Sequence, residues 1–312
     1  SGGSAQFSGS SVVKVQHSTL DVSGGSVEFS DSTSVSLSQG GVMQVRGGEF
    51  ALRGGSYVSL DSSSSVSVSG GSLTVSDSGK LQLASASSVS VSGGDVVFAQ
   101  QSDIVITDSV FSVSGGNVYM NQGGSVSLTR GTLSVSSGSF SAIGTTLVTL
   151  SDGSQVSVSG GTLLLAEAAV FNVQPGSTVR VTGGELLMTG VGKMELQGAM
   201  LQVSDGDIRF VDQSQLLSVA STISVTGGSV SLEDQSLVSL TQGSTLAIAG
   251  GSFTIDSTAT ATMSVVPFVV SDSLITISLG DLTIIGASVT NFARTTVTVA
   301  GCRRASIRRR RS

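Results

Sequence analysis

The chain has 312 residues, of which 64 are Ser, 41 are Gly and only two are Pro. With 39% hydrophobic and 12% charged residues it is too apolar and too weakly charged to be a disordered Ser/Gly tract, and without a three-residue Gly period it is not collagen. Formal net charge is −6, but six of the 12 Arg lie after Gly301, so the body sets 9 basic against 21 acidic residues.

The first element to recur along the chain is a Gly pair. Pairs start at Gly2, Gly24, Gly47, Gly70, Gly93 and Gly115, then at Gly160, Gly183, Gly227 and Gly250, and Ser137-Gly138 and Asp205-Gly206 stand in the two remaining places. Successive starts are 22 or 23 residues apart, which makes twelve repeats ending at Ser271 and a degenerate thirteenth beginning at Asp272. Within the repeat Gly70 to Ser92, apolar residues alternate with small polar ones three times, at Leu73/Val75, Leu81/Leu83 and Val89/Val91. Period two predicts strands, and Val, Ser, Thr and recurrent Gly pairs disfavour helix.

If those six positions face inward they must be apolar in every repeat. They are apolar at 71 of 72 positions, the exception being Ser218. Ten of the 11 Phe fall on them: Phe7, Phe29, Phe50, Phe98, Phe111, Phe140, Phe171, Phe210, Phe253 and Phe268. Around Ser218 the reading slips by one residue, putting Leu217 and Val219 inward with a local bulge. Three short strands per coil, each with an inward pair, predict an all-β, single-stranded parallel β-helix (β-solenoid) of 12–13 coils over residues 1–300, one continuous repeat domain. Each Gly pair forms the corner leading into the next coil, because Gly reaches positive φ without a Cβ penalty. Residues 301–312, CRRASIRRRRS, read as a basic, disordered tail.

Coil length and the three-strand layout resemble the right-handed parallel β-helix of the pectin-lyase-like proteins. Among these the Ser/Gly/Val-rich, cysteine-poor, very regular repeats look most like surface adhesins and autotransporter passenger domains. That resemblance implies right-handed winding, an extracellular or cell-surface location, and a glycan or host-surface protein as partner. The calcium-binding signature GGxGxD is absent.

Chemistry is expected on outward positions, since packing explains the inward ones. The middle outward position of the third strand holds Ser67, Ser90, Ser112, Ser134 and Ser157, and a second column holds Ser69, Ser92, Ser114, Ser136 and Ser159. These hydroxyl ladders form a regular face that could meet a glycan, another sheet or ice, or serve only as a solvated surface. Arg180 interrupts the first column.

Glu185 and Asp207 occupy adjacent coils with Arg209 two residues on, a grouping similar to the acids and Arg base of a β-helix polysaccharide lyase. Asp212 and Asp234 form a second acidic pair beside Glu233. Leu164 and Leu187 on successive coils, with Val97 and Tyr119 further along, outline an apolar stripe, and Tyr57 and Tyr119 are the outward rings. His17 is the single His and reads as a turn residue; Cys302 is the single Cys and permits no internal disulfide.

The expected function is therefore a non-enzymatic structural or adhesive segment presenting a Ser-rich face, with no catalytic residue, metal or cofactor. The alternatives are a polysaccharide-active lyase or hydrolase and an ice-binding solenoid. No nucleic acid is expected at the body, and the tail leaves that open. The chain begins with Ser, as a mature form or excised fragment would, and holds no uninterrupted apolar stretch long enough for a spanning helix.

Overall fold

In the computed structural model the chain is all β. The structure describes residues 3–256 and, beyond them, the backbone of the strands Pro267–Ser271, Leu274–Ser278, Asp281–Ile285, Val289–Ala293, Thr296–Ala300 and Arg304–Arg308. Each coil contributes one strand to each of three parallel sheets of 14, 13 and 13 strands, a β-solenoid with about 11 coils within residues 3–256. The chain divides into two compact units, Ser1–Val156 and Ser157–Ser312.

In the first unit the repeat from Gly70 forms strands Ser72–Val75, Lys80–Leu83 and Ser88–Val91. Each pairs in parallel with its counterparts one repeat away: Leu73 lies between Phe50 and Val96, Leu81 between Val58 and Ile104, Val89 between Val66 and Phe111. Alternation along a strand thus becomes identity down a column, because a pleated strand turns every second side chain to the same face. Phe29, Phe50, Phe98, Phe111 and Phe140 are fully buried. In the first coil Phe7 is 37% exposed and its ring stacks on that of Phe29 at 4.8 Å.

The second unit repeats the arrangement. Leu186 pairs with Ile208 and Ile208 with Val230, Met194 with Leu216 and Leu216 with Val238, and Val179 with Leu201 and Leu201 with Ile223. Phe171 and Phe210 are fully buried. The side chains of Phe253 and Phe268 lie outside the described residues, as does Asp272, but the backbone corrects the repeat boundary expected at Ser271. Pro267–Ser271 pairs with Leu237–Thr241 in the second sheet rather than the third, and Leu274–Ser278 takes the third-strand place beside Thr245–Ala249, so the coil that starts at Gly250 is longer than 23 residues. Of the basic end, Arg304–Arg308 is a strand paired with Asp281–Ile285, and residues 301–303 and 309–312 lie outside the described residues.

Up to residue 249, one corner accounts for the two coil lengths. Where the second strand turns into the third, the shorter coils hold one residue in the left-handed region, at His17, Asp108, Arg130, Gly198 or Ala220. Most longer coils hold two in succession there, such as Ser62-Ser63, Ser85-Ala86 and Asp152-Gly153. The extra residue is thus absorbed in a turn, and no strand changes register.

Just before the second and third strands the chain places a small residue whose side chain points in. Ser56, Ser102 and Thr146 precede second strands; Ser64, Ser87 and Ser154 precede third strands, and all six are buried. Their hydroxyls donate to the carbonyl three residues back, as Ser64 to Asp61 (2.6 Å), Ser87 to Ala84 (2.6 Å) and Ser154 to Ser151 (2.6 Å). A buried hydroxyl is tolerated because it is hydrogen-bonded. Where Gly79 or Gly124 takes the place, a Cβ would come within 2.5 Å of Val75 Cγ1 or 2.2 Å of the Ser102 oxygen.

The slip expected near Ser218 does not occur. Leu216 and Ser218 face inward in unbroken register with Met194 and Leu196, and Leu217 stays half-buried on the outer side beside Glu195. Ser218 is accommodated because its hydroxyl donates to Ser244 Oγ at 3.1 Å, so the core position carries a satisfied polar group without a bulge. Leu216→Ala accordingly destabilises the protein by about 2–5 kcal/mol, while Leu217→Ala costs under about 1 kcal/mol. Thermal melts of the two variants separate these registers, since the slipped one reverses their order.

Candidate functional site

The serine columns exist as registered features of the first unit. Ser67 pairs with Ser90, Ser90 with Ser112 and Ser112 with Ser134, all half-buried, while Ser69, Ser92, Ser114 and Ser136 are exposed just past the strand ends. Ser157 and Ser159 hold the corresponding positions in the second unit, half-buried and exposed respectively. Some hydroxyls turn back onto the main chain of the preceding coil: Ser112 donates to the Val89 carbonyl at 3.3 Å and Ser136 to that of Val113 at 3.4 Å. Preceding the ladder in the same sheet are Gln44 and Asp21, so the face opens with mixed polar residues before becoming all Ser.

The charged residues group along the stacking direction. In the first unit Arg130 forms a two-pronged contact with Asp108 on the preceding coil, at 2.7 and 2.8 Å, and reaches Asp152 on the following one at 3.9 Å. The Arg130 guanidinium holds the Asp108 carboxyl below the usual carboxylate range, chiefly through the hydrogen bond. Arg53 meets Glu28 at 3.2 Å and Glu49 at 3.9 Å, and Arg46 meets Asp21 at 3.7 Å.

Glu185, Asp207 and Arg209 do come together in the second unit. Glu185 and Asp207 are direct partners across adjacent strands, and Leu187 and Arg209 are partners two residues on. Arg209, however, is held between two carboxylates: Nη1 lies 3.6 Å from Glu185, while Nε and Nη2 donate to Glu233 at 3.2 and 3.0 Å. The hydrogen bond to Glu233 raises the Arg209 pKa further above its ordinary value, and the same contact lowers that of Glu233. A guanidinium so stabilised in its charged form is poorly suited to accept a proton as a base. Asp207 accepts a hydrogen bond from Ser229 Oγ at 2.5 Å.

Asp212 and Asp234 both sit at corners in the left-handed region, and Asp212 Oδ2 accepts a hydrogen bond from the Gly190 amide at 2.9 Å. His17 is an exposed corner residue with φ of 48°. Leu164 and Leu187 are half-buried outward partners, and so are Val97 and Tyr119; Tyr57 is 44% exposed.

The acid–Arg–acid sandwiches escape residue-by-residue inspection, although one leaves a trace. Asp108, Arg130 and Asp152 follow one another at 22-residue steps, one coil each. The Arg209 set is spaced by 24 and joins Glu233, beyond the end of the strand Ser229–Leu232, to side chains within strands; spacing alone does not pick it out.

Polar recesses among the described residues include two of note. One, about 500 Å³, belongs to the first unit and lies along the corner column of Asp77, Ser78, Gln100, Gln101 and Gln122. The other, about 270 Å³, belongs to the third sheet of the second unit and contains Arg180. Compared with family models, with curated proteins and with solved structures, the chain has no match in any of the three.

Proposed function

We propose that the chain is a non-enzymatic structural or adhesive repeat segment of an extracellular or cell-surface protein, a right-handed β-helix of the pectin-lyase-like kind that presents a regular Ser-rich face to a glycan or surface protein. The observation that carries this reading is the uniformity of the described coils. From residue 3 to residue 249 they differ by one residue at one corner, so none of these coils carries an extended loop to wall a substrate groove. Catalytic sites are disproportionately built on such loops. The engagement of Arg209 by Glu185 and Glu233 counts against the lyase alternative.

Beads coated with the chain are expected to adhere to glycan-bearing cell surfaces, and beads carrying a chain with Ser67, Ser90, Ser112 and Ser134 replaced by Lys are expected to lose that adhesion. Adhesion that survives the four substitutions removes the Ser face from the account. Incubation with uronate polysaccharides and Ca²⁺ is expected to yield no unsaturated product, and product formation abolished by Arg209→Lys replaces the scaffold reading with the lyase one. Thermal hysteresis that disappears in Ser90→Tyr and Ser112→Tyr variants replaces it with ice binding.

A further inference from the structure

Among the described residues Arg46, Arg53, Arg130 and Arg209 each meet at least one carboxylate. Arg180 meets none. It projects outward and exposed from the strand Thr178–Val181, in a chain whose acidic residues outnumber its basic ones, and Asp205 at the nearby corner does not pair with it. An uncompensated guanidinium in an acidic surface is an available anion receptor.

Its surroundings narrow the anion. Arg180, Gln202 and Ser224 follow one another in register on three adjacent strands, and with Val203, Ser204 and Thr226 they line the recess of about 270 Å³. Thr226 Oγ1 is turned toward the Val203 carbonyl at 3.4 Å, and the Gln202 amide toward Met200 Sδ at 2.8 Å, whereas the hydroxyls of Ser204 and Ser224 have no protein partner among the described residues. The site thus offers one fork of positive charge and several neutral hydrogen-bonding groups, with no second cation. One guanidinium balances one negative charge and holds two oxygens in its plane. A phosphate monoester, near −2 at neutral pH, would be left half-neutralised. An acidic peptide side chain would fill the charge but leave the surrounding hydroxyls unpaired.

At about 270 Å³ the recess falls just below the roughly 300–1,000 Å³ that ligand sites span, and so suits one ring rather than a long ligand. We propose that it binds an acidic sugar unit, a polyhydroxylated ring carrying one monovalent oxyanion, either carboxylate or sulfate ester. The oxyanion sits on Arg180, and the ring hydroxyls exchange hydrogen bonds with Gln202, Ser204 and Ser224. This is a discrete site in the second unit and does not depend on the Ser face of the first, so its loss leaves the scaffold reading where it stood.

The test is an NMR titration of the full chain with glucuronate, with galactose 6-sulfate and with neutral glucose. Saturable amide shifts confined to the neighbourhood of residues 180, 202, 204, 224 and 226 are expected for at least one acidic sugar, with Kd on the order of 1 mM, and none for glucose. Shifts with glucuronate alone identify the carboxylate, and shifts with galactose 6-sulfate alone identify the sulfate ester. Arg180→Gln weakens binding at least tenfold, Arg180→Lys less so because charge persists without the fork, and Ser224→Ala about threefold. The last variant keeps the test decisive if the first misfolds. Equal binding of glucose, equal binding of inorganic sulfate, or affinity unchanged in both the Arg180→Gln and Ser224→Ala variants overturns the proposal.

Discussion

Replacing Phe111 with Asp abolishes cooperative melting of the first unit, or splits it into separately melting segments. Phe111 is fully buried, pairs with Val89 on one side and Leu133 on the other, and sets its ring edge-on to Phe140 at 6.3 Å. Truncating a buried Phe alone costs about 3–5 kcal/mol, and an unpaired carboxylate in an apolar column adds several more. That total rivals the whole stability of an ordinary domain, about 5–15 kcal/mol. Because each coil is supported by its neighbours, damage concentrates in coils adjoining the substitution. Hydrogen exchange should accelerate first in Ser88–Val91, Val110–Val113 and Thr132–Val135. Ser112→Asp, one residue along on the outer face, serves as the control and costs under about 1 kcal/mol. Equal melting of the two variants contradicts the inward placement of Phe111.

The second large effect belongs to the Gly column. Gly94 has φ of +79°, and a Cβ there would stand 2.3 Å from the Gly71 carbonyl oxygen; Gly71 bears the same relation to Gly48, and Gly116 to Gly94. Gly94→Val combines a strained conformation, roughly 1–2 kcal/mol for the left-handed region, with a clash against main chain that cannot rotate away. A loss of about 3 kcal/mol or more follows.

Left-handed φ by itself does not require Gly in this protein. Ser63 (φ 59°), Asp77 (φ 56°) and Ala86 (φ 62°) adopt it at the other two corners with their side chains attached. Gly94→Asn separates the two causes, since Asn tolerates the conformation but still carries a Cβ. A drop in melting temperature close to that of Gly94→Val assigns the requirement to the approach of adjacent coils. A drop near zero assigns it to φ.

Which features were legible from the residues follows from how far apart the interacting groups lie. The strands at Ser72–Val75, Lys80–Leu83 and Ser88–Val91 can be read because period two is a local pattern and recurs unchanged in the next coil. Glu185 and Asp207 can be placed side by side because both occupy the same position of consecutive repeats. Ser218 is not legible from sequence, because a polar residue at an inward position looks like a register error until its partner is known. That partner, Ser244, is 26 residues away at a corner, and only the folded chain brings their hydroxyls together. The buried hydroxyls of Ser64, Ser87 and Ser154 were hidden for a related reason: in a chain this rich in Ser, a small inward corner residue looks the same as a solvated one.

The amino-acid sequence by itself determined the repeat, the three strands per coil, the apolar columns and the Gly corner, because each rests on alternation within a strand or on recurrence between neighbouring coils. Tertiary structure decided where the extra residue of the longer coils goes, which carboxylates hold Arg209, and that Arg180 holds none. Those outcomes depend on left-handed corner conformations and on the lateral reach of long side chains between coils. Neither is encoded in the spacing of apolar residues, and both arise only when consecutive coils lie at strand separation.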